Sequence, residues 1–391
     1  MPSRWTACSC SASARAPRWR RGNLHVRSIP KTPPRWVNDV ALAERITDGP
    51  RIGAKPLLLC GLLAAALAAA VAELVLGPVA VPLAELQAWL AGRADAGTAA
   101  ILGQIRAPRM VLALLVGTGL ALAGTTLQGI LRNPLADPGL IGVTAGASLG
   151  AVTVIVLGGA FFAGVPTFLR PYLLPCGAFL GAATVTGFVF LVSRRGGQTS
   201  VATLILAGVA INAVCFAGVG ALTYISDDQQ LRNLTFWQMG SLGGASWPVV
   251  LVTAPVITVS AYLLHRLATP LDLFQLGERA AFHSGVDTER VKLKAGLLTA
   301  LAVGSATAAA GPIGFIGLVA PHMARLVLGA QHHWVLPGAA LLGTALLLAA
   351  DLVVRLAVPP AEPPIGLATA LIGGPFFLWL LLTRLRGLTH V

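Results

Sequence analysis

Charge is what this chain of 391 residues has least of: Asp, Glu, Lys and Arg together make up 11% of it, against 55% hydrophobic residues. Soluble domains carry about a quarter charged residues, so a soluble globular protein is excluded and a polytopic, all-α membrane protein is expected. Cysteine is nearly as scarce. Cys8 and Cys10 lie near the start, Cys60, Cys176 and Cys215 sit in apolar runs, and no C-x-x-C pair occurs. That spacing argues against a disulfide framework or a metal site. No G-x-x-x-x-G-K run followed by Ser or Thr is present, so the chain does not cradle ATP in a P-loop. Gly196-Gly197-Gln198 resembles a fragment of an ATPase signature without its domain, and is read as a loop. No catalytic triad or paired carboxylate stands in a polar setting, which leaves no enzymatic role, and no cofactor is expected. Acids in apolar runs reduce to Glu73 and Asp351, both near helix ends. Proton-coupled carriers need ionisable groups at mid-membrane, so this scarcity argues against that class.

The net charge of +13 is uneven. Residues 1–55 hold eleven Lys/Arg against three acids (Asp39, Glu44, Asp48). This stretch, rich in Pro and Arg and without periodicity, reads as a disordered cytoplasmic extension. A basic arm for anionic lipid or nucleic acid is the alternative, and nucleic acid is not expected as a partner. No apolar stretch follows the charges until Pro56, and that one is long enough to span, so the start is not read as a signal peptide.

A bilayer core takes about 20 residues of helix. Apolar runs of that order recur near 57–77, 109–131, 139–160, 171–192, 202–224, 248–265, 293–312, 314–329, 335–356 and 365–383. Ten transmembrane helices are therefore expected over residues 56–386, with a short tail at 387–391. Basic residues cluster after the even-numbered runs: Arg132, Arg194, Arg195, Arg266, Arg279, Arg290, Lys292, Lys294, Arg325, Arg384 and Arg386. By the positive-inside rule both termini are cytoplasmic, in a multi-pass inner-membrane protein. The longest outside stretches are 78–106 and 225–247, the latter carrying Trp237 and Trp247 at interfacial positions. A weak internal echo links Arg109–Gly124 with Arg290–Gly311.

Several motifs occur in series. Arg-Ala-Pro-Arg (106–109) is followed by Gly-Thr-Thr-Leu-Gln-Gly (124–129) and Arg-Asn-Pro-Leu-Ala-Asp-Pro-Gly-Leu-Ile-Gly-Val (132–143). Leu-Ala-Gly-Val-Ala-Ile-Asn (206–212), Phe-Trp-Gln-Met-Gly-Ser-Leu-Gly-Gly (236–244), Gly-Phe-Ile-Gly-Leu-Val-Ala-Pro-His-Met-Ala-Arg (314–325) and the run 364–379 continue the order. Over 56–386 the chain resembles the permease subunits of iron-chelate (haem, ferric siderophore) and cobalamin importers of the ATP-binding-cassette (ABC) superfamily. The resemblance implies the type II importer architecture and pairing with a second copy around a central path. It also implies an ABC ATPase pair docked below and a periplasmic or lipid-anchored substrate-binding protein above, all set in membrane lipid.

Site residues follow from that resemblance together with local chemistry. Residues 277–286 match the coupling helix that sits in a groove of the ATPase. Gly277 starts or stops a helix, Glu278 and Arg279 open it, Ala280 and Ala281 offer a small packing face, and Gly285 ends it. A plain amphipathic loop helix is the alternative. Arg106, Arg109 and Arg355, at outside helix ends, match arginines that dock the binding protein; snorkelling at a helix end is the other reading. Asn133-Pro134 and Asp137-Pro138 form a stiff corner, either a plain turn or part of the inner gate. Ser200, Val201 and Ala202 fall where the family narrows that gate, although Ser200 serves equally as an N-cap. Asn212, polar on an apolar helix, faces the path or makes an interhelical hydrogen bond. His322 is read as structural, and His332 and His333 as surface loop residues.

The stretches 227–244 and 132–139 are similar to haem-permease members, which makes haem the first candidate cargo, ferric siderophore the next and cobalamin the third. A stand-alone secondary transporter and a membrane scaffold are the competing classes.

Overall fold

A computed structural model describes residues 52–162, 164–195, 198–357 and 361–388; of the extension expected at 1–55, residues 1–51 lie outside them. The described residues belong to one unit, Asp48–Val391. After a 3-10 turn at Ile52–Ala54 come α1 (Lys55–Val75) and α2 (Leu83–Leu90). Then α3 (Ala96–Ala100) runs through a π-helical stretch, Ile101–Arg106, into α4 (Ala107–Leu131). A 3-10 turn at Pro138–Ile141 precedes α5 (Val143–Phe161), which is followed by α6 (Arg170–Ser193). The short strands β1 (Arg194–Arg195) and β2 (Gln198–Thr199) pair antiparallel, Arg194 opposite Thr199. Next are α7 (Val201–Ile225), α8 (Asp228–Gln238), α9 (Trp247–His265), α10 (Ala268–Gln275) and α11 (Glu278–His283). The chain closes with α12 (Thr288–Ala310), α13 (Ile316–Leu328), α14 (His332–Ala357) and α15 (Ile365–Leu388).

Each of the ten expected apolar runs is a helix. Among the described residues seven helices are long and apolar enough to cross a membrane, and Val143–Gly159, Ile316–Leu328 and Ile365–Leu378 are shorter apolar helices. The second run begins upstream of its expected start, because α3 and the π-helical stretch join it to make one 36-residue span, Ala96–Leu131. The expected outside stretch at 78–106 is therefore largely helical. At 225–247 the structure places α8, started by a capping box in which Asp227 accepts from the Gln230 backbone N–H at 2.8 Å and Gln230 accepts in return at 3.1 Å. The run at 293–312 starts earlier as well, at Thr288, because Asp287 caps it by accepting from Arg290 N at 3.0 Å. Lys55 is the first residue of α1, is buried and donates to Gln331 Oε1 at 3.4 Å.

The core is built around α4. Leu112, Val116, Leu120 and Leu127 pack with Ile257 of α9, Val303 and Ala306 of α12 and Leu347 of α14. Close approach depends on small residues: a Cβ on Gly117 would lie 2.7 Å from the Gly343 carbonyl oxygen, so α4 and α14 meet backbone to backbone. The residues of the internal echo, α4 and α12, pack against each other in this core.

Two ends of the bundle are distinguishable by their contacts. One gathers β1–β2, α10, α11 and the start of α12. The other gathers the C-terminal end of α1, the start of α4 and the end of α14, near the 3.0 Å bond from Ile365 N to Gly240 O.

Candidate functional site

At the first end, Lys292 is the meeting point. Its side chain is 4% exposed, on the first turns of α12. Nζ donates to Glu278 Oε1 at 2.6 Å, to the Thr199 carbonyl oxygen at 2.8 Å and to Glu289 Oε1. An ammonium has three N–H donors, so these acceptors satisfy it completely. Glu289 turns its other oxygen to the Thr199 backbone N–H at 2.7 Å. One buried cation thus ties together α11, α12 and β2, and Thr199 adjoins Ser200.

The expected coupling segment forms a short helix. Gly277 has φ 112°, a conformation few other residues adopt, and Gly285 has φ 87° past the end. Glu278 and Arg279 open this helix, as expected, and the surroundings of Ala281 and Glu278 are intramolecular. Ala281 is fully buried against Phe274 and Val291 of its own chain, so it offers no packing face to a partner; an apolar methyl between two buried side chains is ordinary core. Glu278 is held by Lys292. What faces outward is Arg279, His283, and the large apolar side chains of Leu276 (73% exposed) and Phe282 (64% exposed).

Ser200 caps α7, accepting from Thr203 N at 3.3 Å, and Val201 and Ala202 are the first residues of that helix. Asn133 forms an Asx turn by accepting from Leu135 N at 2.9 Å, and Pro134 follows at a corner where Arg132 ends α4 with φ 48°. Asp137 accepts from Gly139 N at 2.7 Å; burial pushes its carboxyl up, and that N–H opposes the rise. Asn212 donates to the Gly139 carbonyl oxygen at 3.0 Å, so it makes the interhelical bond and also lines a cavity of about 330 Å³ with Phe216, Val303, Thr307 and Pro138.

At the other end the three arginines expected to dock a partner are turned inward, with exposures of 4% for Arg106, 6% for Arg109 and 4% for Arg355. Arg109 grips Asp351 with Nε at 2.8 Å and Nη2 at 2.9 Å, and reaches Glu362 with Nη1 at 2.7 Å. Arg355 Nη2 lies 3.0 Å from Glu73 Oε1 and donates to the carbonyl oxygens of Glu73 (2.9 Å) and Leu76 (3.0 Å). Arg106 donates to the carbonyl oxygens of Leu74, Val75 and Val79. The physical reason is the end of α1. Its last carbonyls have no helical partner and carry the negative pole of the dipole, and two guanidinium groups satisfy them. In this chain the three expected docking residues therefore spend their donors on intramolecular acceptors. Exposed guanidinium groups at this end belong to Arg93, Arg170 and Arg232.

Lys292 as a hub, with Glu289 and Thr199 as its partners, is not evident from the sequence beyond the i,i+3 spacing of Glu289 and Lys292. His332, expected on the surface, is fully buried, with Nδ1 2.8 Å from Asp272 Oδ1. Asp272 draws it in, since the same oxygen accepts the His332 backbone N–H at 2.8 Å at the start of α14.

The FecCD transport family pattern matches residues 62–383. The hemin transport system permease protein HmuU of Yersinia pestis is 49% identical over 280 residues, which is 72% of this chain and 82% of that protein. The cobalamin import system permease protein BtuC of Halobacterium salinarum is 40% identical over 284 residues, 73% of this chain and 74% of that protein. The Fe(3+)-citrate import system permease protein YfmE of Bacillus subtilis is 39% identical over 282 residues, 72% of this chain and 81% of that protein. A solved structure of an inward-facing metal-chelate type ABC transporter superposes with a TM-score of 0.75 at 33% identity, covering 84% of this chain and 99% of that one.

Proposed function

The chain belongs to the FecCD transport family, a family of ABC importer permeases, and from that membership we propose that it carries haem across the inner membrane. The observation that carries the choice of haem is its likeness to the hemin transport permease, which stands above its likeness to the cobalamin and iron-citrate permeases. A ferric siderophore is the second reading, supported by the iron-citrate relative.

In this proposal two copies of the chain enclose the path, and an ATPase pair seats on the exposed Arg279 and Phe282 of α11 and on Leu276 just before it. The Glu278 end of α11 stays tied to the bundle. The termini and the β1–β2 end lie in the cytoplasm, in keeping with the basic residues clustered there. A binding protein docks at the opposite end, on Arg93, Arg170 and Arg232, because Arg106, Arg109 and Arg355 are already engaged within the fold. Substrate enters the space lined by Asn212 and Phe216, and the corner at Asn133-Pro134 and the segment Ser200–Ala202 close it from below. The chain itself performs no bond chemistry; ATP is hydrolysed by the partner.

The test is uptake of haem and of a ferric siderophore into proteoliposomes holding this chain with its co-purified ATPase and binding protein. ATP-dependent uptake of haem alone is the expected result. Uptake of the siderophore alone reassigns the cargo, and uptake of either without ATP overturns the importer reading.

A further inference from the structure

We propose that Lys292 is the positioning residue through which movement of α11 reaches the start of α7, with Glu278 as the detachable link and Thr199 as the output. This rests on reading α11 as the ATPase-docking element, and it adds how the docked motion is carried.

The bonds around Lys292 are not equivalent. Glu289 sits one turn away on the same helix, so its pair with Lys292 moves as part of α12. Thr199 is held twice, its carbonyl oxygen by Lys292 and its N–H by Glu289, which clamps β2 onto α12 as a rigid unit. Glu278 is the ion-pair link from Lys292 to α11, and its side chain is 42% exposed. A charge-assisted bond of 2.6 Å between a buried ammonium and a half-exposed carboxylate is strong and also breakable, since water can take over the carboxylate when α11 shifts. Losing it leaves the ammonium with one donor unsatisfied in a buried place, a state the bundle relaxes by moving the cation or the strand it holds. The strand leads directly into the Ser200 cap of α7, the helix whose Asn212 lines the cavity. Charge at Glu278 therefore sets the position of the start of α7, the helix that carries Asn212 to the cavity.

Two jobs are thus divided within residues 276–282. The exposed Leu276 and Phe282 hold the partner, and Glu278 transmits. The variant that tests this is Glu278→Gln, which removes the carboxylate charge, keeps the shape, and leaves the Lys292–Glu289–Thr199 clamp in place. Lys292→Met removes the hub itself and serves as the stronger second variant.

Spin labels are placed at His283→Cys on α11 and Ala202→Cys on α7, both exposed positions, in the full complex lacking native cysteines. In the parent complex, ATP is expected to change the environment of both labels. With Glu278→Gln, the ATPase still co-purifies and hydrolyses ATP and the label at 283 still responds, while the response at 202 is lost. Haem moved per ATP falls about ten-fold, within the range of typical coupling between sites. Co-purification with an unchanged response at 202 and unchanged haem per ATP overturns the role of Lys292 while leaving the importer reading intact. If the parent chain binds no ATPase, both fail together.

Discussion

Arg109 and Asp351 lie 242 residues apart in the sequence and meet in a two-pronged bond, Nε at 2.8 Å and Nη2 at 2.9 Å, with the Asp351 side chain 1% exposed. The pair ties the start of α4 to the end of α14, and a third donor of the same guanidinium reaches Glu362 on the segment before α15. Removing one partner of such a pair leaves a buried charge uncompensated.

Arg109→Met is expected to destabilise the protein by about 3–5 kcal/mol, since Asp351 is then buried without its cation. Arg109→Met combined with Asp351→Leu is expected to recover most of that loss. Thermal unfolding of the detergent-solubilised protein, followed by intrinsic tryptophan fluorescence or by aggregation, compares the three. A double variant no more stable than the single one shows that the pair does not behave as a unit.

Arg106→Ala removes the donors to the last carbonyls of α1, and the expected cost is about 1–3 kcal/mol for buried acceptors left unsatisfied. Its affinity for the binding protein, measured on the folded fraction, is expected to stay unchanged. A selective loss of that affinity with full stability would restore Arg106 as a docking residue.

Charge reversal at Arg93, Arg170 and Arg232 together is expected to slow association with the binding protein and to flatten its dependence on ionic strength, because exposed charges steer encounter and are screened by salt. Stopped-flow binding at two salt concentrations reads both effects. Equal on-rates for parent and variant would remove these residues from the interface.

Phe282→Asp places a charge on the exposed face of α11 and is expected to abolish co-purification of the ATPase with no loss of thermal stability. Ala281→Asp is expected to lower stability by several kcal/mol, about the cost of burying an unpaired carboxylate in an apolar site. The contrast between neighbouring residues distinguishes the docking face from the core face. Equal loss of stability for both would mean that α11 is held differently.

Gly117→Val forces a Cβ to 2.7 Å from the Gly343 carbonyl oxygen, a backbone atom that cannot swing aside, and is expected to prevent folding or cost about 1–3 kcal/mol as overpacking. Gly61→Ala on α1, where nothing stands within 4 Å, is the control expected to be neutral. Yield and unfolding temperature of the two variants provide the check.

Much of the fold was legible. Each apolar run became a helix within a few residues of its expected place, because hydrophobicity over about 20 residues is a local property that one sequence displays fully. The N-cap at Ser200 and the hydrogen bond of Asn212 were legible for the same reason: a hydroxyl before a helix, or an amide on an apolar one, has few ways to be satisfied. The starts of α4 and α12 were less so. A π-helical join and an Asp287 cap extend them into stretches whose composition reads as loop.

The chain's composition and its ordered motifs by themselves determined a helical membrane protein of the permease class, and marked 277–286 as a short helical segment. Only the tertiary structure decided what the charged residues do. Whether an arginine at a helix end points to solvent or caps the carbonyls of another helix depends on what the fold brings beside it, as with Arg106 and the end of α1. The same holds for Lys292, whose acceptors come from residues 199, 278 and 289. In a low-dielectric interior a charge must find partners wherever they are, and sequence distance places no limit on where the fold delivers them.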